Sequence, residues 1–248
     1  MKVAIDIGNT LTKMGFFEGR ELLKTSVIQN YNMESFIQEL NKDKAMIDEV
    51  IVSSVIDLAD DVINYLNSNF RWLPFTSTTP IPIVNMYQTP LTIGMDRLAA
   101  VIGARVFHKT GNILTIDAGT CITYDFINSN DEYLGGGISP GLMMRYKALN
   151  NYTSKLPLVQ IMNDMQLIGR DTIGSIKSGV LNGAIAEVKG IIDQYSSYYP
   201  NLQVIITGGD NSFFAINLRN SIFAAPHLVL HGLNEVLIYN KTDILHND

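Results

Sequence analysis

The fold is decided by one stretch near the start of the chain, Val3-Ala4-Ile5-Asp6-Ile7-Gly8-Asn9-Thr10-Leu11-Thr12-Lys13. Its apolar residues predict a buried strand that runs into a tight polar turn. Gly8 permits backbone conformations that other residues avoid. Short polar groups follow it, on Asn9, Thr10 and Thr12. An acid at the end of a buried strand, followed by a glycine turn, hydroxyl groups and the cation of Lys13, is typical of a phosphate site.

A second copy of this pattern lies near the middle of the chain, at Ile113-Leu114-Thr115-Ile116-Asp117-Ala118-Gly119-Thr120. It again has an apolar strand, an acid, one small or apolar residue, a glycine and a threonine. Because the repeat spans about half the chain, it is too long for a solenoid and suits two related lobes. We therefore expect two lobes, residues 1–111 and 112–248, whose acids bind one polyphosphate from two sides.

The composition is that of a globular protein that must bind anions through local groups. The 248 residues are 46% hydrophobic and 17% charged, with a net charge of −6. A nucleic-acid-binding protein would normally have a basic face, and no Lys/Arg cluster interleaved with aromatic residues is found in the sequence. No uncharged apolar run approaches the roughly 18 residues that a membrane span needs. We expect neither a nucleic-acid partner nor a membrane partner.

The cysteine content and the first residues bear on the compartment. Cys121 is the single cysteine, which excludes an internal disulfide. The start of the chain reaches Asp6 too soon for a signal peptide, so we expect a cytoplasmic protein. The four histidines have no spacing with cysteine or acids that is typical of a zinc site.

Apolar periodicity predicts alternating helices and strands along the rest of the chain. The predicted helices are residues 33–40, 58–66, 94–108, 142–149, 172–195 and 233–239, and further strands are predicted at residues 50–52 and 204–207. Residues 81–92 contain Pro82 and Pro90, so we expect an irregular extended segment that offers Tyr87 as a binding group. In the helix over residues 172–195, we expect Gly179 and Gly183 to allow close core packing.

Gly94-Met95-Asp96-Arg97 opens a predicted helix, and this position leaves two interpretations of Asp96 open. A carboxylate at a helix N-terminus is stabilised by the helix dipole, so Asp96 could have a purely structural role. It could equally be a general base beside an anion-binding Arg97. The local sequence does not distinguish the two.

Gly137-Ile138-Ser139-Pro140-Gly141 matches the nucleophile-elbow pattern of serine hydrolases, but we reject this match. The residue after the nucleophile must donate its backbone N–H to the oxyanion. Pro140 has no N–H to donate.

Taken together, these features resemble the actin, sugar-kinase and heat-shock chaperone superfamily and, within it, the type III pantothenate kinases. The resemblance spans nearly the whole chain. It rests on these motifs in this order: Asp6-Ile7-Gly8-Asn9-Thr10 with Lys13, Tyr87, Gly94-Met95-Asp96-Arg97, Asp117-Ala118-Gly119-Thr120, Gly136-Gly137-Ile138-Ser139-Pro140-Gly141, Asp171-Thr172 and Thr207-Gly208-Gly209-Asp210.

The resemblance implies a fold and an activity. The expected fold is α/β, with two duplicated ribonuclease-H-like lobes of mixed sheets flanked by helices, as in actin-like ATPases. The expected reaction is ATP-dependent phosphorylation of pantothenate to 4'-phosphopantothenate, the first step of coenzyme A biosynthesis. The resemblance also implies a cytoplasmic homodimer that uses Mg²⁺ with ATP and a monovalent cation, K⁺ or NH₄⁺.

The resemblance further assigns roles to individual positions. It implies that ATP is bound by Asp6, Ile7, Gly8, Asn9, Thr10, Leu11, Thr12, Lys13 and Thr120. It implies that pantothenate is bound by Tyr87, Gly94, Met95, Asp96, Arg97 and Thr172. Asp96 would be the proton acceptor and Asp117 the ligand of the monovalent cation. Cys121 departs from the family pattern, which usually has alanine there, and we expect no loss of activity from this small residue.

Three alternatives stay open beside this interpretation. A superfamily kinase of another small alcohol, such as a sugar, would keep the phosphate turns but need a different substrate pocket. A non-catalytic regulator with the same fold should lack an intact set of acids, whereas Asp6, Asp96 and Asp117 are all present. A serine hydrolase is disfavoured by Pro140.

Overall fold

The computed structural model describes residues 1–8, 10–29, 32–160, 165–218 and 222–244. The elements of the first half of the chain are β1 (Lys2–Ile7), β2 (Leu11–Glu18), β3 (Glu21–Gln29), α1 (Met33–Asn41), β4 (Glu49–Ser54), α2 (Asp60–Asn69), β5 (Arg71–Pro74), β6 (Val84–Asn85) and α3 (Met95–Phe107). A single 3₁₀ turn, Lys44–Met46, precedes β4.

The second half repeats this alternation of strands and helices. Its elements are β7 (Ile113–Ala118), β8 (Cys121–Ile127), β9 (Glu132–Pro140), α4 (Leu142–Asn151), α5 (Thr172–Tyr198), β10 (Gln203–Thr207), α6 (Asn211–Asn217), β11 (Phe223–Ala224) and α7 (Leu228–Ile244). The predicted α/β class is confirmed. None of the helices within the described ranges is both long and apolar enough to cross a membrane.

The strands of the two halves have the same topology. The first sheet has the order β3-β2-β1-β4-β5, and the second contains the equivalent order β9-β8-β7-β10-β11, with β6 paired to the start of β9. In each half an antiparallel hairpin lies beside a parallel strand, since β1 pairs with β2 and β4, and β7 pairs with β8 and β10. The duplication that two short motifs predicted therefore extends to five strands in each half.

The first sheet is covered on both faces, which explains the uninterrupted apolar run of β1. Val3, Ala4, Ile5 and Ile7 have no exposed surface. Val3, Ile5 and Ile7 belong to a core cluster with side chains of α1 and α2, and α7 contacts β1, β2 and β4. A central strand that is buried on both faces lacks the polar alternation of a half-exposed strand.

Contacts divide the chain into two compact units. The first unit contains residues 1–109, 131–133 and 227–248, and the second contains residues 110–130 and 134–226. The final helix α7 belongs to the first unit because it packs on α3 and on β1. The lobe boundary between residues 111 and 112 stays a prediction. The predicted lobes follow the order of the duplicated strands in the chain. The contact units differ from these lobes only in a few residues and in the placement of α7.

The backbones of α3 and α7 approach each other closely. A Cβ atom on Gly103 would collide with the carbonyl oxygen of Leu228, and a Cβ atom on Gly232 would collide with the carbonyl oxygen of Ala99. Both positions therefore require glycine for steric reasons. This contact holds the last helix of the chain against the helix that begins at Met95.

Three of the differences from the expectations drawn from sequence have a clear physical reason. β3 was not predicted, because it is an exposed edge strand without a clear apolar alternation. The last helix begins at Leu228 instead of residue 233, since Gly232 is required inside the helix by its contact with α3. The expected core packing of Gly179 and Gly183 is wrong. Both are exposed, and among the described residues no atom lies within 4 Å of a Cβ built on either.

We predict that Gly232→Ala destabilises the protein, because the new methyl group forces α7 away from the backbone of α3. The loss should be about 2 kcal/mol or more, as is usual for overpacking against backbone. Urea unfolding monitored by circular dichroism measures this change. The control is Gly190→Ala on α5, where a Cβ meets no described atom within 4 Å. It should raise stability by about 0.5–1 kcal/mol. Equal effects of the two substitutions would contradict the prediction.

Candidate functional site

The first turn joins β1 to β2 and places a carboxylate beside an ammonium group. The N–H of Gly8 donates to the carbonyl oxygen of Leu11 at 3.0 Å, which closes the turn. In the strand register Asp6 lies opposite Lys13 on one side and Ser53 on the other. Residues that are directly opposite in a sheet have their side chains on the same face. The end of β1 therefore has an acid, a base and a hydroxyl group in one row.

The predicted ATP-binding residues of this turn differ in exposure. Ile7 and Thr12 have no exposed surface, so their side chains cannot contact a ligand in this conformation. The other described positions are partly or fully exposed: Asp6, Gly8, Thr10, Leu11 and Lys13. Asn9 lies outside the described residues. The side chains that remain available for phosphate are chiefly those of Thr10 and Lys13.

The second turn, between β7 and β8, repeats this geometry with one residue fewer. The N–H of Gly119 donates to the carbonyl oxygen of Cys121 at 2.9 Å. Asp117 lies opposite Thr123, six positions later, whereas Asp6 lies opposite Lys13, seven positions later. Thr120 is exposed and Asp117 is partly exposed. The second copy therefore places an acid opposite a hydroxyl group where the first places it opposite a cation.

The third turn, which follows β10, packs directly on the second turn. The N–H of Asp210 donates to the carbonyl oxygen of Ala118 at 2.9 Å. Gly208 has φ of +94°, and a Cβ atom there would collide with the carbonyl oxygen of Ala118. Burial raises the pKa of the Asp210 carboxyl above its ordinary value. The glycine signal in residues 207–210 thus marks a close contact between two turns of the second unit.

A second group of predicted residues lies in the first unit, around the start of α3. The guanidinium carbon of Arg97 is 5.8 Å from the centre of the Tyr87 ring, and that ring stacks on Tyr133. Arg97 is 6% exposed. The Oδ1 atom of Asp96 accepts a hydrogen bond from the N–H of Arg97 at 2.9 Å. The structure therefore brings Tyr87, Asp96 and Arg97 together.

Gly94 and Met95 complete the first turn of this helix. Gly94 is the residue at the N-cap and is partly exposed, as is Met95. A Cβ atom on Gly94 would collide with Oδ1 of Asp96. Glycine at this position leaves the carboxylate free to bond the helix backbone.

Thr172 and Ser139 both belong to the second unit. Thr172 is exposed at the first position of α5, where the side chain of Asp171 accepts from the N–H of Gly174 at 2.7 Å. The predicted start of this helix is confirmed. The hydroxyl oxygen of Ser139 lies 2.9 Å from Nη2 of Arg145, which donates to it. An arginine in this position is not the base that a nucleophilic serine needs, which agrees with the rejected elbow.

Two further residues near the first turn were not found from sequence. Ser53 is fully buried, and its position beside Asp6 follows from strand pairing that no local motif encodes. His227 precedes α7 with φ of +65°. Burial lowers the pKa of His227, and the charge of nearby Lys13 lowers it further. Lys13 and His227 are more than 200 residues apart in the chain, so the sequence does not indicate that they lie close together.

Comparison with known proteins gives a family match over most of the chain. Residues 2–194 match the model of a family described as type III pantothenate kinase. A type III pantothenate kinase of Christiangramia forsetii is 42% identical over 242 residues, which cover 98% of this chain and 100% of that protein.

Two solved structures share the fold. A Campylobacter jejuni protein described as a Baf family transcriptional activator has a TM-score of 0.63 at 22% identity, over 97% of this chain and 99% of that one. A Listeria monocytogenes protein described as an N-acetylmannosamine kinase has a TM-score of 0.57 at 13% identity, with the same coverage of both chains. These identities show the fold alone, and they agree with the predicted fold class.

Proposed function

This chain belongs to the type III pantothenate kinase family, and on this premise we propose how its residues transfer phosphate from ATP to the primary hydroxyl group of pantothenate. The observation that supports the proposal most directly is the pair of acid-glycine turns on duplicated hairpins, together with the Tyr87, Asp96 and Arg97 group. Phosphoryl transfer depends mainly on positioning and on stabilisation of charge, which these groups provide. We place the reaction in the cytoplasm.

The phosphates of ATP are bound by the first and second turns. Lys13 and Thr10 bind phosphate oxygens at the first turn, and Thr120 binds ATP at the second. Asp6 would hold the Mg²⁺ that accompanies ATP, and this ion would supply positive charge to the transferring phosphoryl group. The structure fits this role, because the Asp6 carboxylate is partly exposed at the end of β1 and lies opposite Lys13.

The acceptor substrate is bound by the group around the start of α3. Arg97 holds the pantothenate carboxylate, since a protein of net charge −6 needs a local cation to attract an anion. The stacking of Tyr87 on Tyr133 fixes the Tyr87 ring beside that cation. Asp96 accepts the proton of the substrate hydroxyl, and its bond to the N–H of Arg97 orients the carboxylate. Thr172 and the backbone of Gly94 and Met95 complete the substrate contacts.

A monovalent cation, K⁺ or NH₄⁺, fits beside Asp117. The Oδ1 atom of this carboxylate is 3.3 Å from where a Cβ on Gly119 would lie, and a Cβ on Gly208 would collide with it. These glycines let the backbone approach the carboxylate closely, and the partly exposed Asp117 side chain is the hard oxygen ligand that would hold the ion. Asp117 would hold the ion, which would supply positive charge near the phosphates.

We predict that Asp96→Asn lowers turnover roughly 10²-fold or more while ATP binding stays nearly unchanged, because the amide cannot accept the hydroxyl proton. A coupled assay of ADP release with pantothenate and a panel of small alcohols measures turnover and substrate choice. The control is Asp61→Asn, which removes an exposed acid from the first turn of another helix, α2. An Asp96→Asn enzyme with the parent's turnover would refute the role of Asp96.

The same assay tests the substrate in the parent enzyme. Preference for a sugar over pantothenate would refute the proposed substrate.

We predict that Asp117→Ala removes activation by K⁺ or NH₄⁺, because it deletes the carboxylate proposed to hold the ion. The measurement is initial rate against K⁺ concentration at constant ionic strength, with Na⁺ as the control ion that should substitute poorly. If the rate of the variant still rose with K⁺ as in the parent, the ion would have to bind elsewhere.

We also propose that the protein is a homodimer whose contact includes α5. Gly179 and Gly183 lie on an exposed face of this helix, one turn apart. Ile173, at the start of α5, is 50% exposed, and Leu167 and Ile168 just before it are 80% and 72% exposed. Small residues that permit close approach, together with exposed apolar side chains, favour a contact with another helix. Such a contact would include the end of α5 that has Thr172.

We predict that light scattering at low micromolar concentration gives about twice the chain mass of 27.5 kDa. Gly183→Leu should halve this mass, because the new side chain fits the isolated chain but blocks close contact. As the dimer is weakened in this variant, the affinity for pantothenate should fall before the affinity for ATP does. Circular dichroism controls for the fold of the variant. A fully active monomer of the parent would refute both the dimer and its link to pantothenate binding.

A further inference from the structure

Four polar side chains from four elements form a connected network in the second unit. The Nη2 atom of Arg145 on α4 donates to Oε2 of Glu187 on α5 at 2.6 Å. The hydroxyl of Tyr124 on β8 donates to Oε1 of the same carboxylate at 2.9 Å. Arg145 also donates to the hydroxyl oxygen of Ser139 on β9. Glu187 thus accepts on both oxygens, and Arg145 connects it to the end of β9.

The charges of this network are fixed by its environment. Burial alone would raise the pKa of Glu187, but the hydrogen bonds from Arg145, Ser139 and Tyr124 together hold it below its ordinary value. Burial and the bond to Glu187 raise the pKa of Tyr124, so its hydroxyl keeps its proton and remains a donor. The Arg145 and Glu187 side chains are 20% and 30% exposed. This is a charged pair with limited access to water and with further hydrogen bonds, unlike a mobile surface ion pair.

The network holds the segment that contacts the second phosphate turn. The Nε atom of Arg145 donates to the carbonyl oxygen of Pro140 at 2.8 Å. The next residue, Gly141, donates its N–H to the carbonyl oxygen of Thr120 at 3.1 Å. A Cβ atom on Gly141 would collide with the carbonyl oxygens of Gly119 and Thr120. Arg145 therefore fixes one residue, and the following residue is packed on the backbone of the turn.

From this geometry we infer that Arg145 and Glu187 are positioning residues for the nucleotide, acting through Gly141 on the turn at Gly119 and Thr120. The inference rests on the proposed role of Thr120 in ATP binding. In this proposal neither side chain contacts the nucleotide directly. Arg145 holds Ser139 and Pro140 at a fixed distance from α5, and Glu187 holds the guanidinium group in the orientation that reaches both. Sites of this kind require backbone placement within about 0.5 Å, which supporting hydrogen bonds provide.

The test compares Michaelis constants for the two substrates in Glu187→Gln and Arg145→Lys. Glutamine keeps the shape of Glu187 but removes its charge. Lysine keeps the charge of Arg145 but cannot donate to Pro140, Ser139 and Glu187 together. In both variants the KM for ATP should rise roughly 10-fold, the lower end of the range for substitutions behind a binding residue. The KM for pantothenate should stay within about twofold of the parent.

A matched control is Arg20→Gln in the first unit. Arg20 donates to Glu235 at 2.6 and 2.8 Å, so this substitution also breaks an arginine–glutamate pair with two hydrogen bonds. Both Michaelis constants should stay within about twofold of the parent. Tyr124→Phe removes one donor to Glu187 and keeps the ion pair, so it should raise the KM for ATP only about twofold to threefold. If Glu187→Gln or Arg145→Lys does not fold, the KM for ATP of Tyr124→Phe still tests the inference.

Direct titration with ADP by calorimetry separates this inference from the proposed reaction. Weaker ADP binding in Glu187→Gln and Arg145→Lys, with pantothenate binding unchanged, supports the inference. Lower thermal stability with unchanged KM for ATP and unchanged ADP affinity would overturn it and leave the network a purely structural role. An equal rise of both Michaelis constants would overturn it as well. A parent protein that binds ADP but does not phosphorylate pantothenate would refute the reaction alone, because the ADP titrations still test the positioning.

Discussion

The first unit depends on the close contact between the backbones of α3 and α7. Because Gly103 and Gly232 have no side chains, the two helices lie very close together. A Cβ atom on either glycine would collide with a carbonyl oxygen of the other helix. α7 also contacts β1, β2 and β4, so this contact fixes α3 relative to the sheet. The start of α3 supplies Asp96 and Arg97, and α7 begins next to His227, whose pKa is lowered in part by Lys13. A contact made by glycines and backbone thus fixes the helix whose start contains the residues proposed to bind the acceptor substrate.

The two hairpins show how a duplicated element can place different side chains opposite the same acid. Both have an acid at the end of the first strand, and both close with a glycine N–H bonded to a carbonyl oxygen at about the same distance. The loss of one residue in the second turn puts Thr123 where the first has Lys13. In the reaction proposed above, the acid opposite the lysine is the one assigned to Mg²⁺ and phosphate. The acid opposite the threonine has no cationic side chain opposite it and is the one assigned to the monovalent cation.

Local signals in the sequence were sufficient for the two turns and for most helices. Asp6 and Asp117 were found because strand, acid and glycine are adjacent in sequence, and α3 and α5 because their apolar spacing is regular. For Asp96, only the family resemblance favours the role of base, since its bond to Arg97 suits a helix N-terminus and a base equally.

Features that depend on distant residues could not be predicted in this way. Arg145 and Glu187 are 42 positions apart on different helices, and each looks like an ordinary surface charge in its own segment. β3 forms because it pairs with the edge of β2. Gly232 has the sequence signal of a helix end, and only its contact with Ala99 explains its place inside a helix. The inaccessible side chains of Ile7 and Thr12 show the same limit within the best-predicted motif, because burial depends on the covering helices.

The place of α7 has a consequence for the order in which the protein can fold during synthesis. The ribosome releases β1 to α3 first, but the helix that covers one face of their sheet is the last element of the chain. Residues 134–226, which form most of the second unit, are synthesised in between. The first sheet therefore lacks this covering helix until residues 228–244 have been synthesised. A chain that ended just before residue 228 would contain all residues of the second unit but would lack this helix of the first unit.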